Sequence, residues 1–136
     1  MKNKLSELYV LAQNENIDIS CFDLPECRSL SLLMGDKCYI AIDPFALETT
    51  ADEACILAHE LGHCVTGSFY NRYSDIDIRA KHERRADKWA IKKLVPKDEL
   101  NDAFEHGIVE PWDLAEYFNV TEDFIRKAVE FYKDVA

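Results

Sequence analysis

Two histidines and a glutamate near the middle of the chain have the types and spacing of a catalytic metal site. Residues 58–64 read AHELGHC, so Glu60 follows His59 and His63 comes one helical turn later. Side chains four apart on a helix share a face, with Cβ atoms about 5–6 Å apart, and the two histidines can hold one ion. Glu60 would reach the water on that ion without being a ligand, as a general base does. Gly62 permits another backbone to approach closely.

A catalytic zinc site needs a third protein ligand, and the next predicted helix offers two carboxylates. Zinc takes three protein ligands in such sites and keeps the fourth position for water. In KHERRADKWA, Glu83 and Asp87 lie one turn apart, so one can bind metal while the other hydrogen-bonds a ligand histidine and fixes its tautomer. In one competing interpretation, Glu83 lies on a solvated face and pairs with a neighbouring basic residue such as Arg84. In another, the third ligand is His82 or Cys55.

The elements that position these residues follow from periodicity and from start and stop signals. An amphipathic N-terminal helix precedes three predicted short strands, the last two joined by a turn at Gly35 and Asp36. A helix is predicted to begin at Thr50, which has capping-box spacing to Glu53, and to end near Gly67.

The second half of the chain is predicted to be helical. One helix covers roughly residues 76–95 and is closed by Pro96. Shorter helices are predicted over 98–106, from Pro111, and over about 121–134.

Length and composition indicate a compact soluble protein. The chain has 136 residues, of which 48% are hydrophobic, and we expect one domain over 1–136, with a catalytic core over 1–95 and a helical extension over 96–136. The expected fold class is α+β and mostly helical, with a small antiparallel sheet packed on the helix that carries HExxH. No window reaches the roughly 18 apolar residues of a membrane span, and the N-terminus does not read as a signal peptide.

Cysteine use and charge restrict the compartment and the partner. Five cysteines form no CxxC pair and accompany no export signal, so we expect no disulfide framework and a reducing cytoplasm. The net charge of −10 disfavours nucleic acid as a partner. Residues 72–93 differ, with eight basic and four acidic side chains. They form either a guide for an acidic substrate segment or, more ordinarily, a solvated helix face.

Two motifs resemble those of the ImmA/IrrE metallopeptidases. ILAHELGHCVTG is followed by HERRADKWAIKKLVP, which is similar to the family pattern of HELGH, then E-x-x-A-(D/N)-x-(F/W)-A, then a hydrophobic run ending in Pro. The resemblance implies that zinc is bound by His59, His63 and Glu83, and that Glu60 is the catalytic acid/base. It extends over most of the chain and implies a zincin-like core followed by helices with a helix-turn-helix character.

The resemblance also implies a substrate. Members of this family act in prophages, mobile elements and stress responses, where they cleave a helix-turn-helix repressor and release transcription. We therefore expect a zinc endopeptidase whose partner is such a repressor, with no nucleic acid or membrane partner. Peptide hydrolysis also needs a donor to the tetrahedral oxyanion. The candidates are Tyr70, Tyr73, His82 and His106.

The main rival interpretation is a helix-turn-helix transcription regulator. The C-terminal segment has the apolar spacing of that motif at Leu114, Ala115, Phe118, Val120, Ile125 and Val129. Residues 107–136, however, carry seven acidic and three basic side chains, and Glu122 and Asp123 begin the helix that would enter the major groove. We therefore expect this segment to pack in the core or to bind protein. A noncatalytic binding protein with a structural metal is the third interpretation.

Overall fold

The fold combines helices with one small sheet, in the predicted mostly helical α+β class. The computed structural model describes residues 4–71 and 73–135, so Arg72, at the start of the basic stretch, and residues 1–3 and 136 of the predicted domain lie outside it. The strands are β1 (Asp18–Cys21), β2 (Ser29–Met34) and β3 (Lys37–Ile42). The helices are α1 (Lys4–Asn14), α2 (Thr50–Thr66), α3 (Ile76–Leu94), α4 (Lys97–Glu105), α5 (Pro111–Phe118) and α6 (Glu122–Val135).

The sheet is mixed, whereas the sequence predicted an antiparallel one. β2 and β3 form the expected antiparallel hairpin, with Ser29 opposite Ile42. β1 pairs with the other side of β3 in the parallel direction, with Asp18 opposite Tyr39, so the strand order is β1-β3-β2. The antiparallel prediction is therefore wrong for β1. Periodicity identifies strands but does not specify which strand each one pairs with.

Helix α2 begins at Thr50 as predicted, but its N-cap is Thr49. Thr49 is extended (φ −140°, ψ 165°), and its hydroxyl accepts a 3.1 Å hydrogen bond from the backbone N–H of Asp52. Two adjacent threonines offer the same capping chemistry, and the local backbone selects the first. The helix ends at Gly67, which has the left-handed φ of 67°.

One apolar core connects the N-terminal and C-terminal parts of the described chain. Leu8 of α1, Ile40 of β3, Leu57 of α2, Leu94 of α3 and Leu114 of α5 are each at most 1% exposed and belong to it. Burying each such side chain stabilises the fold by roughly 1.5–3 kcal/mol. The division of the chain near residue 95 stays a prediction. No helix in the described ranges has the length and apolar character needed to cross a membrane.

Helices α2 and α3 approach closely at Gly62. A Cβ atom at this position would lie 2.6 Å from the backbone oxygen of Ala86 and 3.0 Å from its Cα. Backbone atoms cannot move away as a flexible side chain can, so glycine permits the contact and a larger residue does not. The close approach that the sequence predicted at Gly62 is confirmed.

A disulfide joins Cys38 of β3 to Cys64 of α2, so the expectation of no disulfide is wrong for this pair. Their Cα atoms are 5.9 Å apart, which is ordinary disulfide spacing. The partners are 26 residues apart on a strand and a helix, so their spacing in the chain carried no signal. The cysteine pattern consequently no longer supports the predicted reducing compartment. The other three cysteines are free.

Candidate metal site

Helices α2 and α3 bring together the three residues that the sequence singled out as ligands. His59, His63 and Glu83 offer ligand atoms that all lie within 4.8 Å of one another. The two histidine Nε2 atoms are 3.2 Å apart. The Glu83 carboxylate lies 2.8 Å from Nε2 of His59 and 3.3 Å from Nε2 of His63. A histidine pair on one helix thus meets a carboxylate from the next.

These separations fit a zinc ion. Bonds of about 2.0–2.1 Å around a tetrahedral ion place neighbouring ligand atoms about 3.3 Å apart. The two Nε2 atoms are 3.2 Å apart, and Glu83 approaches them with different oxygens, Oε2 at 2.8 Å from His59 and Oε1 at 3.3 Å from His63. Two imidazoles and a carboxylate are also a ligand set that zinc takes in catalytic sites. The cluster can therefore hold one metal ion.

The remaining ring nitrogen of each histidine has its own acceptor. Nδ1 of His59 lies 2.8 Å from Oδ1 of Asp87, and Nδ1 of His63 lies 2.5 Å from the backbone oxygen of Ser68. An acceptor at Nδ1 keeps the proton on that nitrogen and leaves the Nε2 lone pair free for a metal. Asp87 therefore lies where an orienting carboxylate is needed, and Glu83 lies on the Nε2 side.

Sequence reasoning missed the carbonyl of Ser68. Gly67 turns the chain in the left-handed conformation, so the Ser68 N–H donates to the His63 backbone oxygen at 3.0 Å and the Ser68 carbonyl faces the His63 ring. Ser68 is fully buried. The available signal was a helix-ending glycine four residues after a histidine, since this turn brings the next carbonyl back to the ring.

The site concentrates negative charge around the two imidazoles. Burial lowers the pKa of His59, but the hydrogen bond and charge of Asp87, then the charges of Glu83 and Glu60, outweigh it and raise that pKa overall. Burial raises the pKa of Asp87, but the hydrogen bond from His59 and the charge of Lys127 hold it below its ordinary value. Asp87 is therefore ionised at neutral pH. The same negative charge favours a bound cation.

Glu60 is buried next to the cluster without belonging to it. Its side chain is 6% exposed, and Oε2 accepts a 2.6 Å hydrogen bond from the Ser29 hydroxyl of β2. Both residues line a cavity of about 240 Å³ together with His59, His63 and Glu83. Ser29 had no signal in the sequence, because its place beside α2 comes from the packing of the sheet on the helix.

The four candidates for an oxyanion donor lie in different places. Tyr70 lines the cavity and donates to the Glu83 carboxylate at 2.5 Å. This hydrogen bond, followed by burial and the Glu83 charge, raises the pKa of Tyr70 to about 12, so its hydroxyl stays protonated. Tyr73 is 80% exposed, His106 is exposed at the end of α4, and His82 stacks on the Tyr70 ring at 6.3 Å between centroids.

The competing ligands do not join the cluster. His82 has a buried Nδ1 with no hydrogen-bond partner among the described residues, and it does not line the cavity. Cys55 lies one turn before His59 on α2 and contacts Thr121, and burial raises the pKa of its thiol, which disfavours the thiolate that binds metal. Among the described residues, Glu83 makes its ion pairs with the two histidines and not with a neighbouring arginine or lysine.

The C-terminal helices direct their apolar positions into the core. Leu114 and Phe118 of α5 and Ile125 of α6 are at most 6% exposed. Glu122 and Asp123 form the exposed first turn of α6. The turn that would approach DNA in a helix-turn-helix protein is therefore acidic, and DNA phosphates would repel it.

A helix pair that presents two histidines, a carboxylate and a buried glutamate is the framework of a metallopeptidase. The chain matches the IrrE N-terminal-like domain of the Peptidase_M78 family over residues 41–130, which includes both site helices. Because the match covers more than half of the chain, the protein belongs to this metallopeptidase family. No curated protein and no solved structure matches it significantly.

Proposed function

We propose that the protein is a zinc-dependent endopeptidase in which His59, His63 and Glu83 hold the metal and Glu60 is the general base. The observation that carries this proposal is the convergence of three ligand atoms within 4.8 Å beside a buried carboxylate that is not one of them. When bound, the metal would supply a Lewis acid that polarises the peptide carbonyl and acidifies the attacking water.

Glu60 carries the proton in this proposal. Its carboxylate accepts a proton from the attacking water and donates it to the leaving amide nitrogen. The Ser29 hydroxyl holds Oε2 at 2.6 Å, which fixes the side chain and leaves Oε1 to accept the proton. Ser29 is thus a positioning residue for Glu60.

Tyr70 is the donor that we assign to the oxyanion. Its hydroxyl faces the same cavity as Glu60, and a tyrosine hydroxyl is protonated at neutral pH. A neutral donor near the carbonyl oxygen stabilises the negative charge that develops as the tetrahedral intermediate forms. Replacing Tyr70 with Phe should lower kcat more than it changes KM.

The substrate in this proposal is a protein segment that lies extended along β2. This strand is at the edge of the sheet, and Ser29, Leu30 and Ser31 line the site cavity. The free backbone groups of an edge strand can pair with an extended peptide. The resemblance to ImmA/IrrE proteins supports a helix-turn-helix repressor as that protein, and such a substrate implies a cytoplasmic location.

Coexpression with a cognate helix-turn-helix repressor tests the proposal. The native protein should yield discrete repressor fragments on an immunoblot. Glu60→Gln keeps the size of the side chain and removes the base, so cleavage should fall by roughly 10²–10⁴-fold while zinc content stays the same. Cleavage by Glu60→Gln at the native rate would contradict the enzyme. Relief of repression by both forms with an intact repressor would support the noncatalytic interpretation.

We also propose that the protein does not use duplex DNA as a partner, because the first turn of α6 exposes Glu122 and Asp123. An electrophoretic mobility assay at near-physiological salt should show weak background binding only. A Kd in the range of about 10⁻⁸–10⁻¹¹ M for one sequence would instead favour the transcription regulator.

A further inference from the structure

A second cavity, of about 520 Å³, lies between α3 and α6 and shares no lining residue with the site cavity. We call it the α3–α6 groove. Its basic lining residues are Lys81, Arg84, Arg85, Lys88 and Lys127. Its acidic lining residues are Asp87 and Glu130. The groove therefore gathers five of the 16 basic residues of a chain whose net charge is −10.

Four basic side chains on α3 have no acidic partner among the residues that the structure describes. Lys127 pairs with Asp87 at 3.4 Å. Lys81, Arg84, Arg85 and Lys88 are exposed and form no ion pair within the described part of the chain. The chain has 26 acidic residues, so partners are abundant elsewhere, yet these four cations remain available to another molecule.

The spacing of these cations indicates the shape of that molecule. Lys81, Arg84, Arg85 and Lys88 stand at positions i, i+3, i+4 and i+7, so they form one stripe along α3. The stripe is about 10 Å long at 1.5 Å per residue. One small anion would contact only part of it, whereas two turns of a helix with spaced carboxylates would match its length.

The floor of the groove is apolar. It is lined by Ile91, which is 2% exposed, and by Phe131, which is half-buried at the edge of the core. We propose that the α3–α6 groove binds an acidic amphipathic helix of a partner protein, with carboxylates on the α3 cations and apolar side chains against Phe131. Helix-in-groove recognition combines such contacts. The groove shares Asp87 with the proposed peptidase centre, where that carboxylate faces the His59 ring, but its α3 cations lie outside the site cavity, and binding there does not require catalysis.

The probe is a fluorescein-labelled amphipathic peptide of about 14 residues, about 20 Å long as a helix, with leucines on one face and glutamates on the other. Its binding is followed by fluorescence anisotropy in a Glu60→Gln background, so that peptidase activity has no influence on the result. Arg84→Glu/Lys88→Glu should weaken binding about tenfold or more, because attraction becomes repulsion. Lys97→Glu/Lys133→Glu is the matched control, since it changes the net charge equally and neither residue lines the groove.

The proposal is supported if the control double variant changes the Kd by less than about twofold and Phe131→Ala weakens binding severalfold. Arg84→Gln/Lys88→Gln, which adds no repulsion, should give an intermediate loss. Equal weakening by both charge-reversed double variants would overturn the proposal, as would no measurable binding. Tighter binding of duplex DNA that is lost in Arg84→Glu/Lys88→Glu would also overturn it, and so would self-association that depends on the same two residues.

Discussion

Two helix pairs of this protein bury different kinds of side chain. Between α2 and α3, Glu60 and His63 are buried at 6% and 5% exposure, with hydrogen-bond partners in Ser29 of β2 and in the Ser68 carbonyl of the loop after α2. Between α5 and α6, Leu114 and Ile125 are buried at 1% exposure with other apolar residues. Buried polar groups need partners at defined angles, whereas apolar side chains need volume and shape.

The two motifs in the sequence therefore carry different information. HExxH specifies polar residues, and in the structure these residues lie beside the Glu83 carboxylate and have the hydrogen-bond partners that a metal site needs. The helix-turn-helix pattern of the C-terminal segment names apolar residues, and these show only which side of α5 and α6 faces the core. The exposed residues, such as Glu122 and Asp123, decide what such a segment can bind.

The largest expected effect is loss of metal when a ligand is removed. The native protein should bind about one zinc per chain, and His59→Ala, His63→Ala or Glu83→Ala should each abolish stoichiometric binding, since two ligands do not hold zinc tightly. Metal content after dialysis is the measurement. Glu83→Ala with unchanged zinc affinity would remove Glu83 from the ligand set.

A substitution in the apolar contact between α5 and α6 should change stability and not metal binding. Leu114→Ala should lower the free energy of unfolding by about 2–5 kcal/mol, because it leaves a cavity in the core. Zinc per folded chain should stay near the native value. Urea unfolding measures the free energy of unfolding, and metal analysis measures the zinc content. The exposed Glu116→Ala on the same helix is the control, with a change within about 0.5 kcal/mol. Zinc loss in Leu114→Ala would show that the two pairs are coupled.

The close contact between α2 and α3 at Gly62 should affect both the free energy of unfolding and the binding of zinc. Gly62→Ala would place a Cβ 2.6 Å from the Ala86 oxygen, so the helices must separate. We expect destabilisation of about 1–3 kcal/mol together with weaker zinc binding. Gly35→Ala is the control, because its Cβ meets open space and only its φ of 63° is strained. If Gly62→Ala kept native zinc affinity, as the control is expected to, the close contact would not be needed for the site.

The smallest of these effects should come from Asp87. Removal of the carboxylate in Asp87→Ala leaves His59, His63 and Glu83 in place but frees the His59 ring, so zinc affinity should fall about 10- to 100-fold. Competition with a metal chelator measures this change. Lys127→Ala is a useful comparison, since it removes the other partner of Asp87 and keeps the bond to His59. Native affinity in Asp87→Ala would mean that the residue has a structural role only.

Much of the fold was predictable because its signals are local. Helix ends at Gly67 and before Pro96 and the helix start at Pro111 follow from backbone preferences within a few residues. The N-cap was predicted one residue late, since Thr49 and Thr50 have the same chemistry. The parallel pairing of β1 and the bond between Cys38 and Cys64 were not predictable, because each joins segments whose distance depends on the whole chain.

Helix geometry alone places His59, Glu60 and His63 close together, because Glu60 follows His59 directly and residues four apart share one face. Spacing alone left open which of Glu83 and Asp87 approaches a metal, whereas the resemblance to ImmA/IrrE metallopeptidases implied Glu83. The tertiary structure places Glu83 near both Nε2 atoms and Asp87 at Nδ1 of His59. The position of α3 against α2 decides this, and the packing of the sheet on α2 decides the contact of Ser29 with Glu60, because such distances arise only when separate elements pack.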